Sequence, residues 1–378
     1  MRVVVTGGGT GGHVYPALAV LAVLPEVMRN SVQADVLYIG SKKGMERDIV
    51  IRAGFRFAGI GAGPLRGTSI AATLANIARL GIGLAESSRL IKAHGTGVIL
   101  ATGGYVCVPV VVAGWLRGVP SLVYLPDVRP GWAIRFVSRF ARAIAVTSHK
   151  SKAFLPASKV VETGYPVRPE IGKAEKVAAR ERLGLVGELP VVLALGGSRG
   201  AHTINMAIEK GLQEMLTFCQ VLHVCGQEDE LRLRQIRETM PDQFRSRYHL
   251  SPYIHEEFPD ALAAADLAIS RSGASVMGEY PAVGLPAILV PYPYAGGHQR
   301  LNAMVLADGG AAVLLENDRL SELVSVVSGL LSDKPRLSAM ATRARQMSRP
   351  AAAEEIAKVM IEIGAPAGAA ALLWKDSQ

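Results

Sequence analysis

The sequence contains few cysteines and no long apolar run. Cys107, Cys219 and Cys225 are an odd number, without the spacing of a disulfide framework or of metal ligands. The most apolar stretch, residues 105–116, is too short and too interrupted by proline to cross a bilayer. Because residues 1–5 run directly into a glycine turn, we expect no signal peptide. The sequence therefore predicts free thiols in a reducing compartment and argues against an integral membrane protein or a disulfide-rich secreted one.

Charged and aromatic residues are also scarce, at 19% and 6%, whereas glycine is abundant, with 40 in 378 residues. This composition is typical of an α/β protein with many tight turns between strands and helices, and the length suits two domains. Residues 1–165 contain 19 Lys and Arg against 7 Asp and Glu, a net charge of +12, whereas the remaining residues contain 22 against 25, a net charge of −3. We expect the basic half to face an anionic partner.

Glycine-rich turns follow apolar strands at three places. Residues 3–16 read as a buried strand, the loop Gly-Gly-Gly-Thr-Gly-Gly and a helix, and residues 98–105 read as a strand that ends on a glycine pair. Residues 189–201 repeat the pattern with Gly-Gly-Ser-Arg-Gly-Ala. Such turns let backbone N–H groups approach a phosphate. A nicotinamide site is disfavoured because Asp35 stands at the start of the second strand and not at its end.

Residues 264–302 contain a further apolar strand that is followed by a glycine turn and a helix. An apolar run ends at Ser272-Gly273, where we expect a helix to begin, and Glu279 is predicted about two turns along it. There its carboxylate would accept hydrogen bonds from a ribose diol. The next strand, residues 285–291, brings a polar loop with His298 and Gln299 to the same edge of the sheet.

These segments resemble the MurG family of N-acetylglucosaminyltransferases. The resemblance extends over nearly all of residues 1–363 and is carried by Gly-Gly-Thr-Gly-Gly-His-x-x-Pro (residues 8–16), Gly-Gly-Ser-x-Gly-Ala (residues 196–201) and His-Gln-x-x-Asn-Ala (residues 298–303). It implies an α/β fold with two Rossmann-like domains facing a cleft, the GT-B type. It also implies inverting transfer of N-acetylglucosamine from UDP to the C4 hydroxyl of lipid I, with no required metal or other cofactor.

The resemblance implies three segments. Residues 1–163 would form the acceptor and membrane-side domain, and residues 164–350 the UDP-sugar domain. Residues 351–378 would form a helix that returns toward the first domain, followed by a tail. The implied partners are UDP-N-acetylglucosamine, a polyprenyl-linked acceptor and the anionic cytoplasmic face of the membrane, with no nucleic acid.

Site residues follow from the same resemblance. His13 is the candidate general base, since imidazole is the usual proton acceptor near neutral pH. The donor contacts are expected from Thr10, Gly11, Gly12, Arg168, Ser198, Ile254, Ala274, Ser275, Glu279, His298 and Gln299. The acceptor-side contacts are expected from Gly103, Gly104, Tyr105 and Arg129.

One loop departs from the family pattern. After the strand at residues 120–125, the family has His-Glu-Gln-Asn, whereas this chain has Pro-Asp-Val-Arg. Asp127 is therefore a second catalytic candidate, which either orients His13 or acts as the base, and Arg129 is expected to hold a phosphate. Two alternatives are that the loop recognises a different acceptor and that the enzyme catalyses a different reaction. A transferase acting on another lipid, a non-catalytic UDP-sugar-binding relative and a UDP-sugar epimerase remain alternatives.

A helical stripe lies in the basic half. In residues 68–92 apolar side chains recur at helical intervals among arginines and a lysine, and Trp115 and Arg117 follow near a loop end. The stripe is either the core face of a helix or part of a surface that rests on anionic lipid.

Overall fold

The computed structural model describes residues 1–28, 34–63, 70–185, 187–196, 200–294 and 296–365, with the backbone alone for residues 70–78. The chain divides into two compact units. The first comprises Met1–Arg168 together with the residues from Pro350 onward, and the second comprises Pro169–Arg349. The first unit thus extends a few residues beyond position 163, where the sequence places the boundary.

Each unit is built on a parallel sheet. The strands of the first are β1 (Arg2–Gly7), β2 (Asp35–Ser41), β3 (Arg56–Ile60), β4 (Val98–Gly103), β5 (Ser121–Leu125), β6 (Ala143–Val146) and β7 (Val160–Glu162). Those of the second are β8 (Val191–Leu195), β9 (Gln220–Val224), β10 (Tyr248–Ser251), β11 (Leu267–Ser270), β12 (Ala287–Leu289) and β13 (Ala312–Leu314).

Helices provide the crossovers that parallel strands need. In the first half of the chain they are α1 (Gly11–Val27), α2 (Glu46–Arg52), α3 (Ile70–His94), α4 (Cys107–Leu116) and α5 (Trp132–Val137), with 3₁₀ turns at His149–Phe154 and Ala157–Lys159. They continue with α6 (Lys176–Arg182), α7 (His202–Phe218), α8 (Gln227–Glu238), α9 (Asp242–Arg245), α10 (Phe258–Ala264), α11 (Val276–Val283) and α12 (His298–Asp308). A 3₁₀ turn at Asn317–Glu322 precedes α13 (Leu323–Ser332), α14 (Lys334–Gln346) and α15 (Ala352–Gly364).

The strand orders place a switch point in each sheet. Among the described residues, the first sheet runs β3-β2-β1-β4-β5-β6-β7 and the second β10-β9-β8-β11-β12-β13. Both contain the Rossmann order, in which the direction of strand progression reverses beside the first strand. Ligands of such sheets bind at the carboxyl ends of the strands near that reversal. Ligands are therefore expected at the loops after β1 and β4, and at those after β8 and β11.

Strand sequence explains why both faces of the first sheet are covered. Val3 and Val5 pack into one apolar cluster, and Val4 points to the opposite face and packs into another. This alternation follows from the two-residue period of a strand, and such double burial is usual for parallel sheets. On the first of these faces Ile356 and Met360 of α15 join the core. Helix α15 is therefore part of the first unit although the second unit precedes it in the chain.

Candidate active site

The first glycine loop connects β1 to α1 and is held against the end of β4. The N–H of Gly8 donates to the carbonyl of Gly103 over 3.2 Å. Gly104 has a φ of +82°, and a Cβ there would lie 2.4 Å from the Gly8 carbonyl oxygen. Gly103 has a φ of +125°. Only glycine satisfies both the close approach and the left-handed backbone, which explains the pair at the end of this strand.

His13 lies in the first turn of α1, and its orientation is fixed by the same loop. Its Nδ1 is 2.9 Å from the carbonyl oxygen of Gly8 and 3.3 Å from the hydroxyl of Thr10. A carbonyl can only accept, so Nδ1 carries the proton, and in the neutral ring Nε2 is the acceptor. The imidazole edge rests on Gly103, where a Cβ would lie 2.8 Å from Nε2. The backbone carbonyl of His13 accepts a hydrogen bond of 2.5 Å from Thr102.

Beneath this loop lie buried groups that remain neutral. Burial raises the pKa of Cys107 to about 12, and its thiol donates to the carbonyl of Gly103 over 2.9 Å. Burial also raises the pKa of Tyr38 well above its ordinary value, and its hydroxyl donates to the carbonyl of Gly7 over 2.8 Å. Cys107 is thus a packing residue and not a nucleophile. All three cysteines are buried free thiols, as the sequence predicts.

Arg168 belongs to the same neighbourhood of the first unit. Its guanidinium carbon lies 5.1 Å from the ring centroid of Tyr15 on α1, a cation–π contact. Asp127 and Arg129 follow β5, whose neighbour is β4. Asp127 is half-buried, and Arg129 is exposed with its guanidinium 5.9 Å from the ring centroid of Phe154.

In the second unit, a buried arginine joins the loops at the carboxyl edge. Arg271 directly follows β11, and only 9% of it is exposed. Its guanidinium donates to the carbonyls of Val290 and Pro291, each over 3.2 Å, and to the hydroxyl of Thr203 on α7 over 2.6 Å. The guanidinium also stacks on Tyr292, 5.3 Å from the ring centroid. Arg271 therefore fixes the segment after β12 to the start of α7.

That segment in turn orients Gln299. The backbone N–H of Tyr292 donates to the side-chain oxygen of Gln299 over 2.9 Å. Because an N–H only donates, the amide oxygen faces Tyr292 and the amide NH₂ is presented on the other side. Asn302, fully buried on the same helix, donates to the carbonyl of Ser272 over 3.1 Å. Helix α12 is thereby attached to the loop after β11.

Two local predictions at this edge are wrong. Helix α11 begins at Val276, after a turn with i→i+3 bonds from Val276 to Gly273 and from Met277 to Ala274. Ala274 and Ser275 are in that turn, and Glu279 lies in the first helical turn and not two turns along. The polar loop ends at Gly297, whose φ is +80°, so His298 and Gln299 already open α12. Gly297 supplies the left-handed backbone conformation that precedes this helix. The start of the helix was not predicted because the segment is polar.

Other predicted residues are placed less directly. Strand β10 ends at Ser251, so Ile254 lies in the following loop, and its side chain is half-buried. Ser198 lies outside the described residues. Within the described chain, no group of three or more His, Cys, Asp or Glu side chains is arranged to hold a metal ion.

Glu46, Arg271 and Trp132 are not among the functional residues that the sequence predicts. Arg271 directly follows β11, and Glu46 begins the helix after β2. A charged side chain at either position either contacts a ligand or supports the loop from a buried site. Trp132 belongs to a row of aromatic rings, hereafter the aromatic row, which comprises Trp115, Phe140, Phe136 and Trp132. Successive ring centroids in it are 5.1, 5.4 and 5.6 Å apart.

Two Rossmann-like units with glycines at their switch points are typical of the nucleotide-sugar glycosyltransferases of the GT-B type. Residues 3–146 match the glycosyltransferase family 28 N-terminal domain, and residues 191–356 match the glycosyltransferase family 28 C-terminal domain. The chain belongs to the MurG family of these glycosyltransferases. The resemblance and the fold class inferred from the sequence are thus confirmed.

Individual relatives support this assignment. The chain is 39% identical to the UDP-N-acetylglucosamine--N-acetylmuramyl-(pentapeptide) pyrophosphoryl-undecaprenol N-acetylglucosamine transferase of a Roseiflexus species, over 94% of each chain. It is also 39% identical to the protein of that name from Moorella thermoacetica, over 96% of this chain and 99% of the relative. The crystal structure of Acinetobacter baumannii MurG matches with a TM-score of 0.74 and 25% identity, over 96% of this chain and 99% of that one.

The crystal structure of UDP-GlcNAc 2-epimerase from Neisseria meningitidis bound to UDP-GlcNAc also matches, with a TM-score of 0.67 and 14% identity. The match covers 96% of this chain and 100% of that one. This likeness reflects the shared fold alone.

Proposed function

We propose that this protein transfers N-acetylglucosamine from UDP-N-acetylglucosamine to the C4 hydroxyl of the N-acetylmuramyl residue of lipid I, the undecaprenyl-pyrophosphoryl acceptor named for its relatives. The observation that carries the proposal is the state of His13. Its Nδ1 is occupied by the Gly8 carbonyl at 2.9 Å, which leaves Nε2 as a proton acceptor at the carboxyl edge of the first sheet. The names of its relatives indicate the donor and the lipid-linked substrate whose hydroxyl would give its proton to Nε2.

The donor is assigned to the second unit. Glu279, in the first turn of α11, accepts hydrogen bonds from the ribose diol, and the NH₂ of Gln299 donates to the sugar. Ile254 borders the uracil, and His298 lies beside Gln299 at the start of α12. Ala274 and Ser275 line the turn before α11, where backbone N–H groups and the helix dipole favour a diphosphate.

The chemistry is a single displacement at the anomeric carbon. The acceptor hydroxyl oxygen forms a bond to C1 of N-acetylglucosamine, and the bond from C1 to the β-phosphate oxygen breaks. The hydroxyl proton goes to Nε2 of His13, and the electron pair leaves with UDP. Attack opposite the leaving group converts an α-linked donor into a β-linked product. Arg168 and the start of α11 stabilise the negative charge on UDP.

The first unit is assigned to the acceptor. Gly103, Gly104 and Tyr105 border the acceptor at the end of β4, and the loop with Asp127 and Arg129 borders it after β5. In this proposal Asp127 supports proton transfer, and Arg129 contacts the acceptor diphosphate. Thr10, Gly11 and Gly12, in the first glycine loop, are further proposed contacts of the donor diphosphate.

The aromatic row is the proposed membrane-docking surface. Trp115 is 54% exposed and Trp132 is 44% exposed. Exposed Arg117, Arg135 and Arg139 adjoin these rings in the sequence. Indole rings favour the boundary between lipid and water, and arginines are attracted to anionic headgroups. On helix α3, Leu84 and Leu90 pack against the core, whereas the side chains of residues 70–78 lie outside the described part of the chain. No helix in the described part of the chain is long and apolar enough to span a membrane.

The proposal is tested by measuring UDP release from UDP-N-acetylglucosamine with and without a soluble lipid I analogue. We expect release to depend on the analogue, and His13→Ala to lower turnover by roughly 100-fold or more while donor affinity is kept. An epimerase would consume UDP-N-acetylglucosamine without acceptor. Tight UDP binding without transfer to the analogue, but with transfer to another lipid, would reassign the acceptor and implicate the loop with Asp127.

A further inference from the structure

A buried carboxylate lies beneath the first glycine loop. Glu46, the first residue of α2, has no exposed surface, with a relative exposure of 0%. One of its oxygens accepts a hydrogen bond of 2.7 Å from the N–H of Ser41, and the other accepts one of 3.3 Å from the N–H of Gly9. A carboxylate is costly to bury, so its retention at this place requires such donors.

Glycines make the space that this carboxylate occupies. A Cβ on Gly8 would lie 2.5 Å from the carboxyl carbon of Glu46, and one on Gly44 would lie 2.2 Å from it. Gly40 is similarly close, since a Cβ there would lie 2.9 Å from Cγ of Glu46. Glycines from two segments, the first glycine loop and the stretch from the end of β2 to α2, therefore admit one acidic side chain under the loop.

The peptide between Gly8 and Gly9 connects Glu46 to His13. Its N–H donates to Glu46, and its carbonyl accepts from Nδ1 of His13 over 2.9 Å. The N–H and C=O of a trans peptide point in opposite directions, so one planar group bridges the carboxylate and the imidazole. Hydrogen bonds in such a chain polarise one another, and the carboxylate thereby strengthens the Gly8 carbonyl as an acceptor.

The titratable groups beside Glu46 are Tyr105, Tyr38 and Cys107. Burial, and next the charge of Glu46, raise the pKa of Tyr105. Burial is likewise the first cause of the raised pKa values of Tyr38 and Cys107, to which Glu46 also contributes. Those three groups are therefore neutral at physiological pH, and they do not compete with the carboxylate for the N–H of Gly9.

We propose that Glu46 is a positioning residue: acting through the Gly8–Gly9 peptide, it holds His13 in the tautomer and orientation that present Nε2 to the acceptor hydroxyl. This inference rests on the proposed function, in which His13 accepts the proton. It resembles the carboxylate–histidine pairing of other enzymes, with a peptide group inserted between the two side chains.

The test uses Glu46→Gln, which keeps the size of the side chain but replaces one acceptor oxygen with a donor. Asp48→Asn is the matched control, because Asp48 is exposed on the same helix. We expect Glu46→Gln to lower kcat by roughly 10- to 100-fold and to leave the donor KM within about 2-fold, whereas the control keeps both. Unchanged kcat, or a proportional loss of donor affinity, would overturn the proposal.

A second measurement is independent of turnover. The ¹⁵N spectrum of histidine-labelled protein, assigned with His13→Gln, reports the tautomer of His13. In the native protein the Nδ1–H form should dominate, and in Glu46→Gln the Nε2–H form should increase. A native ring that is mainly Nε2–H refutes the proposal even if the variant does not fold. If the native protein makes no product, the proposed function fails, whereas the spectra still decide the role of Glu46.

Discussion

The backbone N–H of Tyr292 donates to the side-chain oxygen of Gln299 over 2.9 Å, so the structure fixes which end of this amide is available to a ligand. The same segment is held by Arg271 through the carbonyls of Val290 and Pro291. The amide of Gln299 is therefore oriented before any sugar arrives, which reduces the ordering cost of binding.

This relationship predicts the effect of Gln299→Glu. The new carboxylate still accepts from Tyr292 but has no N–H to offer the sugar. We expect binding of UDP-N-acetylglucosamine to weaken roughly 10-fold and binding of UDP alone to change by less than about 2-fold, as measured by calorimetry. Gln346→Glu, an exposed glutamine on α14, is the control. Equal losses for both ligands would remove the sugar contact.

The ribose role of Glu279 predicts a different pattern. Glu279→Ala should weaken UDP binding several-fold, on the order of 5-fold, because the ribose hydroxyls lose a charged acceptor. The same change should matter less for 2′-deoxy-UDP, which already lacks one of the two hydroxyls. Glu238→Ala, exposed on α8, should bind both nucleotides normally. The role is refuted if Glu279→Ala binds UDP with native affinity.

The buried His223 predicts a pH dependence of stability. Burial lowers its pKa to about 4, and its ring nitrogens contact Tyr248 and Asn205 at 2.9 and 3.0 Å. In the unfolded chain a histidine has a pKa of about 6.5. Between these values only the unfolded state binds the proton, so the stabilisation present above about pH 6.5 is lost as the pH falls toward 4.

The measurement is urea denaturation at about pH 7 and about pH 5. Removing the titration with His223→Gln should reduce the difference in unfolding free energy between these conditions by about 2 kcal/mol. His149→Gln, at an exposed site, should leave the native difference in place. A variant with the native pH dependence would show that His223 is protonated in the folded protein.

The aromatic row predicts selective binding to anionic vesicles. Trp132→Ala should weaken sedimentation with vesicles that contain phosphatidylglycerol by roughly 10-fold, and raised salt should weaken binding of the native protein. Tyr294→Ala removes an aromatic side chain that is 84% exposed on the second unit and is the control. If the native protein binds neither anionic nor neutral vesicles, the docking surface is refuted.

The general architecture was predictable because its signals are local. Apolar β-branched runs that end in glycines mark β1, β4 and β8, and adjacent parallel strands bring their loops to one edge. His13, Glu279 and Gln299 were identified as candidates from the resemblance to the MurG family, whose motifs are also local in the sequence. The start of α12 was not, because it depends on the left-handed backbone of Gly297 rather than on polarity.

The supporting residues were not predictable in the same way. In sequence, Glu46 and Arg271 are charged residues near strand ends, where solvent exposure is the usual expectation. Their burial follows from partners far along the chain, Gly9 for Glu46 and Thr203 for Arg271. Such contacts exist only once the sheet is assembled, so no local pattern reveals them.

Inverting transfer to the C4 hydroxyl is tested most directly by determining the linkage in the product. The enzyme is incubated with UDP-N-acetylglucosamine and a soluble lipid I analogue, and the isolated disaccharide is analysed by NMR spectroscopy. Inverting transfer to the C4 hydroxyl predicts a β-linkage from C1 of N-acetylglucosamine to C4 of N-acetylmuramic acid. An α-linkage, attachment at another hydroxyl, or consumption of the donor without any disaccharide would contradict the account.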